Sequence, residues 1–234
     1  VIGITGSSGK TSTKELAFAL FNNYFSTLKT EGNFNNQIGL PYTLTKLNEK
    51  HQLAILEMGM RGLGQITELT EISPPQYGII TGIGTAHIEI LGSQKNIAMA
   101  KWELAEIINK NNGYLAIPYY DKYLLDLSEN FKNKDNLFFI NLEKDNYSSL
   151  YLIEDWIENN KQFFTFKNRY TDKEYTVFMT VLGKHQISNA LLVLSLANTF
   201  NIDLPETINL EFENLFGRNE YFNIGNSIII NDSY

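Results

Sequence analysis

The chain has 234 residues, carries a formal net charge of −7 and contains no cysteine. Its length and its 43% content of hydrophobic residues allow a substantial core, arranged as one large domain or two small ones. The acidic balance argues against nucleic acid as the main partner, because a phosphate backbone normally calls for a basic surface. The absence of cysteine excludes disulfides and thiolate catalysis. No apolar run approaches the roughly 18 residues of a membrane span.

The first predicted element is a buried strand, Val1–Thr5, that runs directly into the glycine-rich segment Gly6-Ser7-Ser8-Gly9-Lys10-Thr11. Glycines let backbone N–H groups turn inward around an anion, and the helix predicted over residues 11–20 points the positive end of its dipole at the same place. This order predicts a phosphate-binding loop, in which Lys10 reaches the outer phosphates and Thr11 binds Mg²⁺. The loop is a shortened variant, since Ile4 stands where the general pattern has another glycine. The alternative is a chance glycine-rich turn between strand and helix.

Apolar runs alternate with helix-like stretches over residues 1–120, which is typical of a doubly wound, mostly parallel α/β sheet flanked by helices. After the first strand, further strands are predicted over Phe25–Lys29, Leu53–Glu57, Tyr77–Thr81 and Tyr114–Pro118. After the first helix, further helices are predicted over Ile38–Leu47, Leu63–Ile72 and Ser93–Asn109, the last with Ser93 as its N-cap.

The pattern changes in the second half of the chain. Residues 121–146 are predicted to hold one helix and the strand Leu137–Ile140, and alternating apolar residues over 147–182 predict a small antiparallel β region. A buried helix is predicted over Leu191–Phe200, with another after Pro205. Because both ends of the chain fall at predicted strands, we expect the sequence to be a piece of a longer protein.

Polar clusters follow the predicted parallel strands at the edge where open α/β sheets bind ligands. After the second strand comes a segment rich in asparagine, residues 31–41, whose side chains offer oxygen and N–H groups to phosphate, metal or substrate. The alternative is a polar turn that caps a helix. After the third strand, Glu57 ends an apolar run and resembles the acidic Mg²⁺ residue of other P-loop enzymes. The alternative for Glu57 is a helix-capping role.

One of the three histidines, His87, follows the fourth predicted strand within residues 84–93. A lone histidine is usually a structural residue. Here the sheet edge should bring its imidazole near the phosphates, which favours a neutral imidazole that binds a metal ion.

Together these motifs resemble the Mur ligase family, the ATP-dependent amide-forming ligases of peptidoglycan precursor synthesis. Within the family they are most similar to the type that adds D-alanyl-D-alanine to UDP-N-acetylmuramoyl-tripeptide. The motifs that carry the resemblance are the glycine-rich loop and residues 32–36, 57–64, 86–93, 217–218 and 231–234, although Asn231 stands where an aspartate is often found.

The resemblance implies that residues 1–234 are the central ATP-binding domain of a three-domain enzyme, with an antiparallel β insertion at about 147–182. The UDP-binding N-terminal domain and the C-terminal domain are absent from this chain. It also implies a set of functional residues. The expected ATP contacts are Gly6, Ser7, Ser8, Gly9, Lys10, Thr11, Asn36, Asn189, Arg218 and Asp232; the expected catalytic residues are Lys10, Glu57, His87, Lys101 and Arg218; and the expected Mg²⁺ ligands are Thr11, Glu57, His87 and, once carbamylated, Lys101.

Plainer interpretations of three of these residues stay open at this point. Lys101 is either the carbamylated lysine of several family members or an ordinary surface lysine. Asn189, in a motif that precedes the predicted long helix, is either an adenine contact or a helix cap. Arg218 either faces the phosphates or is a solvated surface charge.

The resemblance further implies ATP and Mg²⁺ as cofactors, a monomeric parent enzyme in the cytoplasm, and an isolated domain that is inactive in ligation. The implied reaction passes through an acyl phosphate and needs no nucleophilic side chain. Two other interpretations are a folylpolyglutamate or cyanophycin type of ligase and a nucleotide-binding module without catalysis. The presence of Lys10, Thr11, Glu57 and His87 argues against the latter.

Overall fold

A computed structural model describes residues 1–212, 220–224 and 227–231, and within them ten strands form one mixed sheet. The sheet contains β1 Ile2–Thr5, β2 Thr27–Lys29, β3 Leu53–Glu57, β4 Tyr77–Ile80, β5 Tyr114–Pro118, β6 Leu137–Asn141, β7 Leu150–Glu158, β8 Lys161–Asn168, β9 Lys173–Met179 and β10 Thr207–Asn209. Two further strands, β11 Glu220–Ile224 and β12 Ser227–Asn231, pair antiparallel with each other.

Seven α-helices connect these strands within the described residues. They are α1 Lys10–Phe21, α2 Gly39–Leu44, α3 Gln65–Ile72, α4 Ile88–Leu91, α5 Gln94–Lys110, α6 Lys122–Ser128 and α7 Lys184–Ala197. Short 3-10 turns lie at Lys134–Asn136 and Asn198–Phe200. No helix in the described part of the chain is long and apolar enough to cross a membrane.

The strand order is β10-β9-β8-β7-β6-β5-β4-β1-β3-β2. All pairs from β2 to β7 are parallel, β7 to β9 are antiparallel, and β10 adds to β9 in parallel. Because parallel strands end at the same edge, the segments that follow β1, β2, β3 and β4 meet at one side of the molecule. β1 lies in the middle of that parallel set, so the loop after it is flanked by loops on both sides.

Apolar side chains fill a separate core on each face of the sheet. One core joins α1 and α7 to the inward side chains of β8 and β9, among them Leu16, Leu191 and Phe164. The other joins α3, α5 and α6 to the opposite face through residues such as Ile66 and Leu104. Helices therefore cover both faces of the parallel strands, which explains why those strands are apolar throughout.

The predicted fold class is confirmed: the sheet is mostly parallel, flanked by helices, and includes the expected antiparallel strands. Those strands extend the same sheet. Ser93 caps α5 as expected, since its Oγ accepts a hydrogen bond from the N–H of Asn96.

Two helix predictions differ from the described structure. No helix follows Pro205 within the described residues; Thr207–Asn209 instead pairs with Thr176–Phe178, where β-branched residues complete the edge of β9. The helix predicted from Leu191 begins at Lys184. Its first turns carry buried polar residues, which interrupt the apolar periodicity that a sequence-based prediction follows.

Candidate functional site

Two glycines shape the loop between β1 and α1. Gly6 has φ 151°, and a Cβ there would lie 1.8 Å from Oγ1 of Thr81, so only glycine allows this close approach. Gly9 adopts φ 79° ahead of α1, where a Cβ would lie 2.8 Å from Oδ1 of Asn189. Thr81 also donates a hydrogen bond of 2.5 Å to the carbonyl of Ser8. The loop is therefore fitted closely against the end of β4 and against α7.

The start of α1 provides an anion site in this loop. Lys10 is the first helical residue, and its ammonium donates to the carbonyl of Gly6 at 2.9 Å, which holds the side chain over the loop. Thr11 follows as a buried residue. The N–H groups and positive dipole end at the start of a 12-residue helix attract negative charge, so the geometry suits a phosphate.

A cavity of about 590 Å³ opens above this loop. The first two turns of α7 form its opposite wall, and hydrogen bonds hold them in place: Nδ2 of Asn189 donates to Gln186 at 3.1 Å, and Gln186 donates to Oγ of Ser12 at 3.4 Å. Tyr120 and Ser188 share a hydrogen bond of 2.7 Å at the same wall. The lining consists of residues 7–12 with Asn35, Glu57, Thr81, Tyr120, His185, Gln186, Ser188 and Asn189.

Glu57, the last residue of β3, is 1% exposed. Its Oε1 accepts a hydrogen bond of 2.7 Å from Nδ2 of Asn35, and its N–H donates to Oγ1 of Thr30 at 3.0 Å. Its Oε2 is buried and has no hydrogen-bond partner among the described residues. A buried carboxylate oxygen without a hydrogen-bond partner lowers the stability of the fold unless a cation binds to it.

The region around the glycine-rich loop contains several buried side-chain oxygens that lack a hydrogen-bond partner among the described residues. In the described ranges, four buried side-chain oxygens have no hydrogen-bond partner, and all belong to β1, the loop, α1 or β3: those of Thr5, Ser7, Thr13 and Glu57. Buried polar atoms are normally satisfied in a native fold. Their concentration here indicates a site built for something besides folding.

In the asparagine segment, the residue that contacts Glu57 is Asn35. Asn35 contacts Glu57 with its side chain and accepts the N–H of Gly59 with its carbonyl at 2.7 Å. Asn36 is exposed, and its Oδ1 accepts the N–H groups of Ile38 and Gly39, closing the turn before α2. Asn36 therefore closes a polar turn before α2, and its predicted contact with ATP stays a prediction.

A second cavity of about 470 Å³ adjoins the first, and Lys10 and Asn35 line both. His87 lies in its wall with φ 68°, directly before α4. Burial, followed by the nearby ammonium groups of Lys101 and Lys10, lowers the pKa of His87, so its imidazole is neutral near pH 7. The lining residues are Lys10, Asn33, Asn35, Asn36, Gln37, Gly59, Met60, Arg61, Gln65 and His87.

Lys101 projects from α5 and is 2% exposed, so it is not the ordinary surface lysine that was its alternative. Burial, with a smaller contribution from the charge of Lys10, lowers its pKa to about 7. Among the described residues, no carboxylate lies within 4 Å of its ammonium group. A large fraction of Lys101 is therefore an uncharged amine near neutral pH.

The oxygen donors of Thr11 and Glu57 suit Mg²⁺, a hard cation that prefers oxygen ligands and keeps several waters. Within the described part of the chain, no group of three or more His, Asp or Glu side chains surrounds a common point. A magnesium ion at this site therefore has to take most of its ligands from phosphate and water.

The structure brings residues 6–11, Glu57, His87 and Asn189 to one edge of the sheet, and their individual roles stay predictions. Arg218 and Asp232 lie outside the described residues. The sequence analysis missed the contributions of Asn35, Thr81 and Gln186. The position of Thr81 directly after a parallel strand was a usable signal, whereas nothing in the pattern distinguished Asn35 from Asn36.

Comparison with known proteins agrees with this geometry. Residues 4–197 match the family model of the Mur ligase middle domain. The chain is 37% identical over 205 residues to the UDP-N-acetylmuramoyl-tripeptide–D-alanyl-D-alanine ligase of Bacillus subtilis, which covers 86% of this chain and 42% of that protein.

Two solved structures align with the whole chain at 26% identity. MurF from Acinetobacter baumannii gives a TM-score of 0.88, with 100% of this chain and 50% of that chain covered. MurF ligase from Thermotoga maritima in complex with ADP gives a TM-score of 0.87, with 100% and 53% covered. The chain thus spans about half the length of these relatives. Because the family model covers most of its residues, the chain belongs to the Mur ligase family.

Proposed function

We propose that this chain is the central ATP-binding domain of a ligase that joins D-alanyl-D-alanine to UDP-N-acetylmuramoyl-tripeptide. The single observation that carries the proposal is the pairing of the phosphate loop with the free Oε2 of Glu57 in one cavity. A positive helix end beside an unsatisfied buried carboxylate suits a triphosphate with a divalent cation. The similarity to MurF ligases along the chain supports the substrate class.

In the first step the peptide carboxylate of the UDP-linked substrate attacks the γ-phosphorus of ATP, which gives an acyl phosphate and ADP. The N–H groups at the start of α1 and the ammonium of Lys10 hold the phosphates and offset the negative charge that builds on their oxygens. Bound Mg²⁺ supplies further charge neutralisation when Thr11 and Glu57 hold it.

In the second step the amine of D-alanyl-D-alanine attacks the activated carbonyl carbon, loses a proton, and displaces inorganic phosphate. The protein's contribution is position and electrostatics, because the acyl phosphate is reactive enough without a nucleophilic side chain. Asn189 is proposed to contact the adenine, Arg218 the phosphates and Asp232 the ribose.

A second metal ion is proposed to bind to His87, which lines the second cavity, and to a modified Lys101, whose charge acts on His87. The neutral amine of Lys101 attacks CO₂ and releases a proton, which turns a cation into a carbamate anion. That change supports metal binding, because Lys10 and Arg61 already place positive charge near His87. Incubation with ¹³C-bicarbonate should give a carbamate carbon signal in NMR that Lys101→Met abolishes.

The decisive experiment measures ADP release by the full-length protein with defined substrates. We expect multiple-turnover release only when UDP-N-acetylmuramoyl-tripeptide and D-alanyl-D-alanine are both present, because the first step alone stops at the acyl phosphate. Release with glutamate and a folate, or with the substrates of cyanophycin synthesis, would instead show another branch of the family. Magnesium-dependent ATP binding without turnover on any substrate would indicate a module without catalysis.

The domain assignment is part of the same proposal: residues 1–234 form the central domain, and separate domains supply the UDP-binding site and the C-terminal part. We expect the isolated domain to bind nucleotide without ligating. The monomeric state and the cytoplasmic location of the parent enzyme stay predictions, the former checked by light scattering of the full-length protein.

A further inference from the structure

A fully buried lysine that the proposed chemistry does not use lies one turn after Lys10 on α1. Lys14 has 0% exposure, and its ammonium donates to the carbonyl of Gly32 at 3.2 Å. It also lies 3.2 Å from the carboxylate of Glu15, which in turn pairs with Lys29. Burying a lysine is expensive, so its contacts must contribute something that an apolar residue would not.

The contact with Gly32 connects α1 to residues 31–37, the segment whose Asn35 donates a hydrogen bond to the carboxylate of Glu57. Three residues beyond Gly32, Asn35 donates its side-chain N–H to Oε1 of Glu57 and accepts the N–H of Gly59. Asn35 is the hydrogen-bond partner found for the Glu57 carboxylate in the described ranges, and this bond leaves Oε2 free. The orientation of the carboxylate therefore depends on where the 31–37 segment lies.

Backbone hydrogen bonds from Phe34 to Glu31 and from Asn35 to Asn33 close turns within that segment, but they do not connect it to α1. Glu31, Gly32 and Asn33 are exposed, and Gly32 adopts φ 49° with open space around the position of a Cβ. A second lysine, Lys46, contacts the same segment through the side chain of Glu31, but both partners of that ion pair are solvent-accessible. The contact from Lys14 is the stronger restraint, because the Lys14 side chain is fully buried, whereas both partners of the Lys46 pair are open to solvent.

We propose that Lys14 is a positioning residue for the magnesium site: it anchors the 31–37 segment at Gly32 so that Asn35 aims Glu57 at the metal. The inference rests on the proposed function. Partners that orient a metal ligand typically change metal affinity by about 10–100-fold when they are removed. Lys14 itself contacts neither phosphate nor metal in this account.

The test compares nucleotide affinity with and without magnesium in the full-length protein. Calorimetry with ADP in Mg²⁺ and in EDTA should show that Lys14→Met lowers the affinity about tenfold or more in Mg²⁺ and less than twofold in EDTA. Lys14→Arg, which keeps the donor, should recover most of the loss. The matched control, Lys46→Met, should behave as the wild type. Lys14→Met leaves the carboxylate of Glu15 paired with Lys29, so the substitution does not create an unpaired buried charge.

Several outcomes would overturn the proposal. Equal losses in Mg²⁺ and in EDTA would show a merely structural lysine, and an unchanged affinity would show no role. If Lys14→Met does not fold, Lys14→Gln takes its place. If neither variant folds, amide hydrogen exchange of the wild type is measured at Gly59, whose N–H donates to the carbonyl of Asn35. Exchange as fast as in an unstructured loop would show that the 31–37 segment is not anchored. A wild type without any magnesium-dependent ADP binding would defeat the proposed function itself, which is a separate failure.

Discussion

The parallel half of the sheet, β1 to β6, and the antiparallel half, formed by strands β7 to β9, use polar residues in opposite ways. At the carboxyl edge of the parallel half, buried oxygens on Thr5, Ser7 and Glu57 have no hydrogen-bond partner among the described residues. In the antiparallel half, β8 alternates strictly between fully buried and half-buried residues, and its polar side chains find partners. Asparagines with positive φ, Asn159 and Asn160, only turn the chain there.

The contrast follows from topology. Parallel strands end at the same edge, so four separate loops converge on one point and can build a site. Antiparallel strands reverse at alternate edges through short turns, and their residues are committed to folding. We therefore expect substitutions in the parallel edge to affect binding and rate, and substitutions in the antiparallel half to affect stability.

The largest effect on stability is expected at Phe164, a fully buried residue of β8. Phe164→Ala should lower the free energy of unfolding by about 3–5 kcal/mol, because it removes an aromatic ring from the core and leaves a cavity. Urea unfolding of the full-length protein measures the change. Phe163→Ala, on the half-buried face of the same strand, should cost clearly less. An equal loss at both positions would contradict the assigned register, whereas ADP affinity should change less than twofold in either variant while it is folded.

The largest effect on rate is expected at Lys10. Lys10→Ala removes the ammonium held over the phosphate loop, and we expect ligase turnover to fall by about 10²–10³-fold, or about 2.7–4 kcal/mol. The unfolding midpoint should stay close to that of the wild type, which separates the effect from that of Phe164. Turnover that persists unchanged would place the chemistry elsewhere and favour a module without catalysis.

Much of this contrast was predictable from the sequence, because the responsible patterns are local. Three patterns each predict the local backbone structure directly: the strand before Gly6, the apolar run before Glu57 and the alternation over residues 147–182. The side-chain partners were not predictable in the same way. Whether Asn35 or Asn36 faces Glu57 depends on the path of one loop, and contacts with other parts of the chain, such as that of Asn35 with Gly59, decide it. The start of α7 at Lys184 was not predicted, because the buried polar residues of its first turns line the cavity and interrupt the apolar periodicity.

The same substitution in both halves tests the comparison directly. Thr11→Val removes a hydroxyl at the start of α1, and we expect magnesium-dependent ADP affinity to fall by about 10–100-fold with stability nearly unchanged. Thr165→Val removes a hydroxyl that only approaches Thr176 across the strands at 3.5 Å. It should change the free energy of unfolding by no more than about 0.5 kcal/mol and leave ADP affinity as in the wild type. Loss of nucleotide affinity in the Thr165 variant would show that the two halves are not separate in function.

Two lysines provide the most specific test. The pKa of Lys101 is lowered from 10.5 to about 7 in the folded protein by burial, with a further contribution from Lys10. Below pH 7 the folded and unfolded chains are both protonated there. Between about pH 7 and 10.5 only the unfolded chain keeps the proton, so the wild type should gain stability relative to Lys101→Met as the pH rises. The gain is at most about 1.4 kcal/mol per pH unit for one group.

In the antiparallel half, a hydrogen bond to Asp172 raises the pKa of Lys167, so its stabilising effect is complete below pH 10.5 and lost only above that pH. Urea unfolding in CO₂-free buffer with EDTA, from pH 7 to 10, should therefore give a sloping difference for Lys101→Met and a flat one for Lys167→Met. A flat difference for Lys101→Met would show that Lys101 is charged throughout this range, and the uncharged amine that carbamylation requires would then be missing.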